Sequence, residues 1–177
     1  MSAADDDGPS TGDILRAVFR LEAERTVCAA RLGRVPGAEA MLADVDARLG
    51  AAFAALDARG ALYPLHMIAR RYRLAEEDYL ILQLALLQHH RDGDALVAAT
   101  LDALDDAEPE PDRASAPRAV RLSHALALIA EGFDDWQRAK TELLTLPVFA
   151  ERLVLVGDGD DPALQVSLSV RELLGLD

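Results

Sequence analysis

Apolar residues at Ile14, Val18, Leu21, Cys28 and Leu32 recur three and four apart, interrupted by Arg25, which is the spacing of one helical face. Asp13 stands where an N-cap is wanted, so the pattern predicts an amphipathic helix starting there. Gly33, Pro36 and Gly37 supply the glycine and proline that stop a helix, and a second stripe follows at Leu42, Val45, Leu49, Ala52 and Leu56. Two helices of similar length around a Gly/Pro turn predict an αα-hairpin arm over residues 13–59. Ahead of it, residues 1–12 carry Asp5, Asp6, Asp7, Gly8 and Pro9 with almost nothing to bury, and read as a disordered acidic tail. The two stripes either close on each other or leave one face for a partner helix.

From Gly60 and Pro64 the pattern changes, opening a second region over residues 60–177. Leu65 to Tyr72 reads as a short helix ending in the basic cluster Arg70, Arg71 and Arg73. Glu76, Glu77 and Asp78 then place three carboxylates in a first helical turn, where the macrodipole favours them. The run Tyr79 to Leu87 is apolar on every side, which predicts the central helix of the core. A helix over about Asp94 to Leu104 follows, then a loop over 105–117, acidic and broken by Pro109 and Pro111, that reads as mobile. Further helices are expected over about Ala119 to Glu131 and Asp134 to Leu144. Val148 to Val156 and Leu164 to Val170 read as two strands, joined by the turn composition Gly157 to Pro162, and Arg171 to Asp177 as a closing half-turn. A β-hairpin after a helical cluster suggests the wing of a winged-helix arrangement, so the fold class expected is mainly α: an αα-hairpin, then a winged-helix-like domain with a small C-terminal β-hairpin.

Composition narrows the chemistry. The formal charge is −13, which argues against a large nucleic-acid footprint, because binding a polyanion rests on a basic surface. The acids concentrate in the tail, in Asp105 to Asp112 and in Asp158 to Asp161, so the core is more nearly neutral than the total implies. One cysteine, Cys28, allows no internal disulfide, and the chain shows no basic-then-apolar leader; a reducing cytoplasm is expected. No apolar run approaches the length of a membrane span, so no membrane partner is expected.

Candidate catalytic and ligand residues do not assemble into a motif. The single lysine, Lys140, lies in no Gly-x-x-x-x-Gly-Lys loop, which excludes a P-loop. His66, His89, His90 and His124 are candidates for metal ligation, but none recurs at i+4, and Cys28 is remote in sequence. Asp158, Asp160 and Asp161 start like a calcium loop, yet the twelfth position is Ser169 rather than Glu and the sixth is not glycine. Cys28 sits in an apolar stripe, and Ser123 beside His124 lacks a nucleophile-elbow setting. No catalytic residue, cofactor site or metal site is therefore assigned, and no enzyme activity is expected. The candidate partner contacts are Arg70, Arg71, Arg73, Arg118 and Arg121. With Arg113 adding charge, and Arg121 and His124 as candidate base readers, they keep a DNA-binding regulator as an alternative.

The segment Leu65-His66-Met67-Ile68-Ala69-Arg70-Arg71-Tyr72-Arg73-Leu74-Ala75-Glu76-Glu77-Asp78-Tyr79-Leu80-Ile81-Leu82-Gln83-Leu84-Ala85-Leu86, with Val120 to Ile129 and Leu168 to Gly175 after it, resembles the N-terminal winged-helix domain of AAA+ ATPases associated with extracellular contractile injection systems. The likeness covers about two thirds of the chain and rests on leucine spacing. Ala75 departs from the family's usual N-cap, Gln88 to Arg91 replace its Pro-Glu-Leu-Asp type ending, and the ATPase module is absent, which implies an excised domain or a stand-alone relative. The resemblance implies a non-enzymatic protein-recognition domain that lets such an ATPase engage an apparatus component or cargo, with no catalytic residue to carry over. A structural subunit self-associating through the arm is the second alternative.

Overall fold

The computed structural model describes residues 8–105, 118–130 and 134–176. The first helix, α1 (Thr11–Arg31), begins two residues earlier than the stripe predicts. Its N-cap is Ser10, whose hydroxyl accepts from the Asp13 amide at 3.2 Å while the Asp13 carboxylate accepts from the Ser10 amide at 3.0 Å. Asp13 is thus the third-position partner of a capping box rather than the cap itself. The helix also starts inside the stretch read as tail, and residues 1–7 lie outside the described residues. Beyond α1, Gly33 and Gly37 take the positive φ values of 71° and 82° that turn the chain into α2 (Ala38–Asp57).

α1 buries a broader face than one stripe, adding Glu22, Ala23, Thr26, Val27 and Ala30, because it packs on α2, on α4 (Glu76–Leu86) and on α5 (Gly93–Leu104). Arg25, which interrupts the stripe, turns aside to pair with Asp46 of α2 at 2.7 Å. The stripes of α1 and α2 therefore close on each other and on the rest of the core, in which Ile14, Leu49 and Leu56 share one cluster with Leu84 and Val170.

Between these elements lies α3 (Pro64–Tyr72), with proline at its first position where a missing N–H costs nothing. α4 is the central helix: Ile81, Leu82, Leu84, Ala85 and Leu86 have no exposed surface. Asp78 in its first turn is buried, and its carboxylate accepts from the Ala75 amide at 3.1 Å and from the Val148 amide at 2.9 Å. One carboxylate thus closes the start of α4 and holds a segment far along the chain. A 3-10 turn (Leu87–His89) leads into α5.

The second half runs from helices into a small antiparallel hairpin and a last helix. α6 (Leu122–Ile129) and α7 (Trp136–Leu143) are shorter than expected, followed by a single turn α8 (Pro147–Ala150), then β1 (Val154–Val156), β2 (Leu164–Val166) and α9 (Leu168–Leu174). β1 and β2 pair antiparallel with Val154 opposite Val166 and Val156 opposite Leu164. Arg121 adds an antiparallel bridge to Ala163, with Leu164 donating to the Val120 carbonyl at 2.8 Å, so the stretch before α6 flanks the outer side of β2.

Two strand expectations are corrected. Val148 and Phe149 belong to α8, because Pro147 starts a turn there and the Val148 amide is taken by Asp78 rather than by a ladder. Leu168 to Val170 open α9, with Ser167 as its extended N-cap and Gly175 as the left-handed stop; the closing half-turn is the second half of a helix. Apart from Asp105, the loop over 105–117 lies outside the described residues. No helix among the described residues is long and apolar enough to cross a membrane.

Candidate functional site

Leu65 and Ile68, three apart, are the buried face of α3, which turns His66, Met67, Arg70 and Arg71 outward. Arg70 and Arg71 sit in the last turn, favourable at the negative end of the dipole, and Arg73 ends the helix at φ 52°. None of the three arginines has a carboxylate partner among the described residues. Beside them, between the end of α2 and the start of α3, lies a cleft of about 220 Å³ lined by Phe53, Leu56, Leu62, His66, Met67 and Arg70, with Asp57 also on its wall. Leu62 is 68% exposed and Met67 49%, an unusual outlay of apolar surface so close to a basic cluster.

The floor of this cleft is tied to the core by a buried carboxylate. Glu22, 4% exposed on α1, accepts hydrogen bonds from the Tyr63 hydroxyl, the Tyr79 hydroxyl and the Gln83 side-chain amide, each at 2.6 Å. His66 Nε2 stands 3.9 Å from the same carboxylate, and its ring stacks on Phe53 at 4.5 Å between centroids and meets Tyr63 edge-on. Burial raises the Glu22 carboxyl above its ordinary range despite the three donors, and burial together with the Glu22 charge pushes both tyrosine hydroxyls upward. Glu22 thus joins α1 to the loop before α3 and to α4, fixing the position of Tyr63 and of the cleft above it. Sequence reasoning missed Glu22, although Ile14, Val18, Glu22 and Thr26 share a spacing of four that puts two polar residues in register with the apolar stripe.

Arg118 and Arg121 form a separate patch and are engaged within the chain. Arg118 pairs with Asp102 and, at 2.7 Å, with Asp105. The Arg121 guanidinium donates to the Asp161 carbonyl at 2.9 Å. His124 is buried; its Nδ1 accepts from the Arg121 amide at 3.0 Å and its Nε2 faces Asp105 at 3.1 Å, while burial holds its pKa below the usual histidine value. It faces inward rather than toward a base edge.

The wing turn is likewise occupied by its own chain. Asp161 accepts from the Ser123 amide and hydroxyl, at 2.9 and 2.7 Å, and so caps α6. Lys140 donates to the Gly159 and Asp160 carbonyls at 3.1 and 3.0 Å, so an ammonium closes this turn. The remaining candidates are dispersed. His90 stacks on Phe19 at 3.9 Å, and burial lowers its pKa to about 4; His89 is lowered as well, by burial and by Arg171. Cys28 is buried with its thiol pKa raised, on the wall of a shallow groove of about 580 Å³ between α1 and α2. Among the described residues no three His, Cys, Asp or Glu side chains converge as a metal site.

Comparison with known proteins finds no matching family model, no curated relative and no solved structure.

Proposed function

We propose that this chain is a non-enzymatic protein-recognition domain that works in the cytoplasm and serves an AAA+ ATPase of a contractile injection system by engaging an apparatus component or cargo. The observation that carries the recognition reading is on α3. In a chain of charge −13, Arg70, Arg71 and Arg73 face solvent beside exposed Met67 and Leu62, with no carboxylate partner among the described residues. Exposed charge next to exposed apolar surface is what a protein partner of complementary charge desolvates. The ATPase and apparatus are drawn from the sequence resemblance.

DNA reading is less well supported. A helix-turn-helix lays its second helix in the major groove, which here means α7 after α6. On α7, Lys140 is spent on the wing turn and Arg138 pairs with Glu142 at 3.0 Å, while the adjoining wing carries Asp158, Asp160 and Asp161. A phosphate backbone would meet carboxylates there. Self-association through the arm is less well supported, since α1 and α2 turn most of their apolar stripes on each other and on the core.

Affinity capture with the full chain, from cells holding such an apparatus, is expected to recover an ATPase or structural component. Recovering neither overturns the proposal. So does a gel shift with duplex DNA at low salt that weakens steeply as salt rises, or a dimer mass in light scattering of the purified chain.

A further inference from the structure

We propose that the cleft between α2 and α3 docks an acidic segment of a partner protein, with one large apolar side chain of that segment seated on Phe53 and Leu56 and its flanking carboxylates paired to Arg70, Arg71 and Arg73. This rests on the recognition reading above and names the chemistry of the partner. The cleft, at about 220 Å³, falls below the 300–1,000 Å³ or so of small-molecule pockets and suits a single side chain. Its wall is mostly apolar, and Leu62 and Met67 within the lining are exposed, as in anchor pockets of interfaces. Polarity is asymmetric. Asp57 lies on the α2 side and Arg70 on the α3 side, with Arg71 next to it in the last turn and Arg73 at the C-cap, so an incoming acidic chain is repelled from one edge and drawn to the other.

Charge complementarity selects the class of occupant. Among the described residues Arg70, Arg71 and Arg73 have no carboxylate partner, whereas Arg25 pairs with Asp46, Arg118 with Asp105 and Arg138 with Glu142, so three neighbouring positive charges are left for acids from outside. The cleft is also preformed. Tyr63 is held by Glu22, and the His66 ring is sandwiched against Phe53 with Tyr63 at its edge, so little ordering is left for the binding step.

The test is fluorescence anisotropy of the full chain with three short fluorescein-labelled peptides. One is composed of aspartate and glutamate around a central phenylalanine, one has that phenylalanine replaced by alanine, and one has its acids replaced by glutamine. The acidic phenylalanine peptide is expected to bind saturably and about tenfold or more tighter than either control, and to weaken as salt rises. Arg70→Glu and Met67→Glu, both at exposed positions, are each expected to reduce binding about tenfold, whereas Arg138→Glu on α7 leaves it unchanged.

Equal affinity for either control peptide, or an equal loss in Arg138→Glu, overturns the proposal. So does duplex DNA that displaces the peptide and itself loses binding in Arg70→Glu, which marks a nucleic-acid surface. A rise in mass with concentration that Arg70→Glu abolishes assigns the cleft to a second copy and overturns it equally. The two proposals fail separately. If capture from cells recovers an apparatus component that Arg70→Glu leaves in place, recognition stands and this docking site falls. If the acidic peptide binds as described and no component is recovered, the cleft stands and the apparatus assignment falls.

Discussion

Glu22→Ala removes the acceptor of three hydrogen bonds at 2.6 Å and leaves the Tyr63 and Tyr79 hydroxyls and the Gln83 amide facing one another across a void. A buried donor without a partner costs about 1–3 kcal/mol. The three costs do not simply add, because hydroxyls rotate and loss of the carboxylate also relieves its own desolvation. The net expected is about 2–4 kcal/mol of stability, read from urea unfolding followed by far-ultraviolet circular dichroism. Glu22→Gln keeps the shape and most of the bonds, and is expected to cost about 1 kcal/mol or less at acid pH.

The pH dependence has a definite sign. The Glu22 pKa is raised in the folded protein above its ordinary 4.5. Between those two values the native state holds more proton than the unfolded chain. The stability associated with protonated Glu22 is therefore complete below pH 4.5 and is lost as pH rises through the raised value. Wild type is expected to lose stability relative to Glu22→Gln as pH rises from 4.5 and to level off above the raised value, other groups cancelling in the difference. The reasoning is refuted if Glu22→Ala costs less than about 1 kcal/mol, if Gln is as damaging as Ala, or if wild type gains on Gln as pH rises.

Asp78→Ala is expected to cost about 2–3 kcal/mol, because it orphans the Ala75 and Val148 amides together; thermal unfolding should show a fall of about 5–10 °C, and Asp78→Asn, whose one carbonyl oxygen serves only one of the two amides, about half of it. Glycine replacements in two helices are expected to move stability in opposite directions in the same melt. A Cβ at Gly93 would stand 2.7 Å from the Gln88 carbonyl oxygen and 2.9 Å from that of Leu87, backbone atoms that cannot swing aside, whereas one at Gly50 meets nothing within 4 Å. Gly93→Ala should therefore destabilise by about 1–3 kcal/mol and Gly50→Ala stabilise by up to about 1 kcal/mol.

Much of the helical architecture was legible because periodicity reports which face of a helix meets the core. Leu82 and Leu84 point to different sides of α4, and only a helix surrounded by others can place both there with no exposure. The errors fell where periodicity carries no information. Val148 and Leu168 sit in β-branched, apolar runs that are equally good strands or helical turns, and each was settled by a neighbour: Asp78 captured one amide, and Ser167 began a helix at the other. The basic residues of α3 were visible as a cluster. That Arg118 and Arg121 belong elsewhere, already bound to Asp102, Asp105 and Asp161, was not, because their partners are distant in the chain.

The sequence by itself determined that this is a helical protein with an αα-hairpin, a central apolar helix and a C-terminal hairpin, and that its charge resides largely in a few acidic segments. These are properties of local spacing and composition, and local spacing suffices to choose a helix and its buried face. Only the tertiary structure decided which charges remain available to a partner. It set Glu22 against two tyrosines and a glutamine, spent Lys140 and Arg121 on the wing, and left Arg70 on the wall of an open cleft with Arg71 and Arg73 exposed at the same end of α3. The reason is physical: whether a charge is free depends on what lies within a few ångströms of it, and that distance is fixed by packing between segments far apart along the chain.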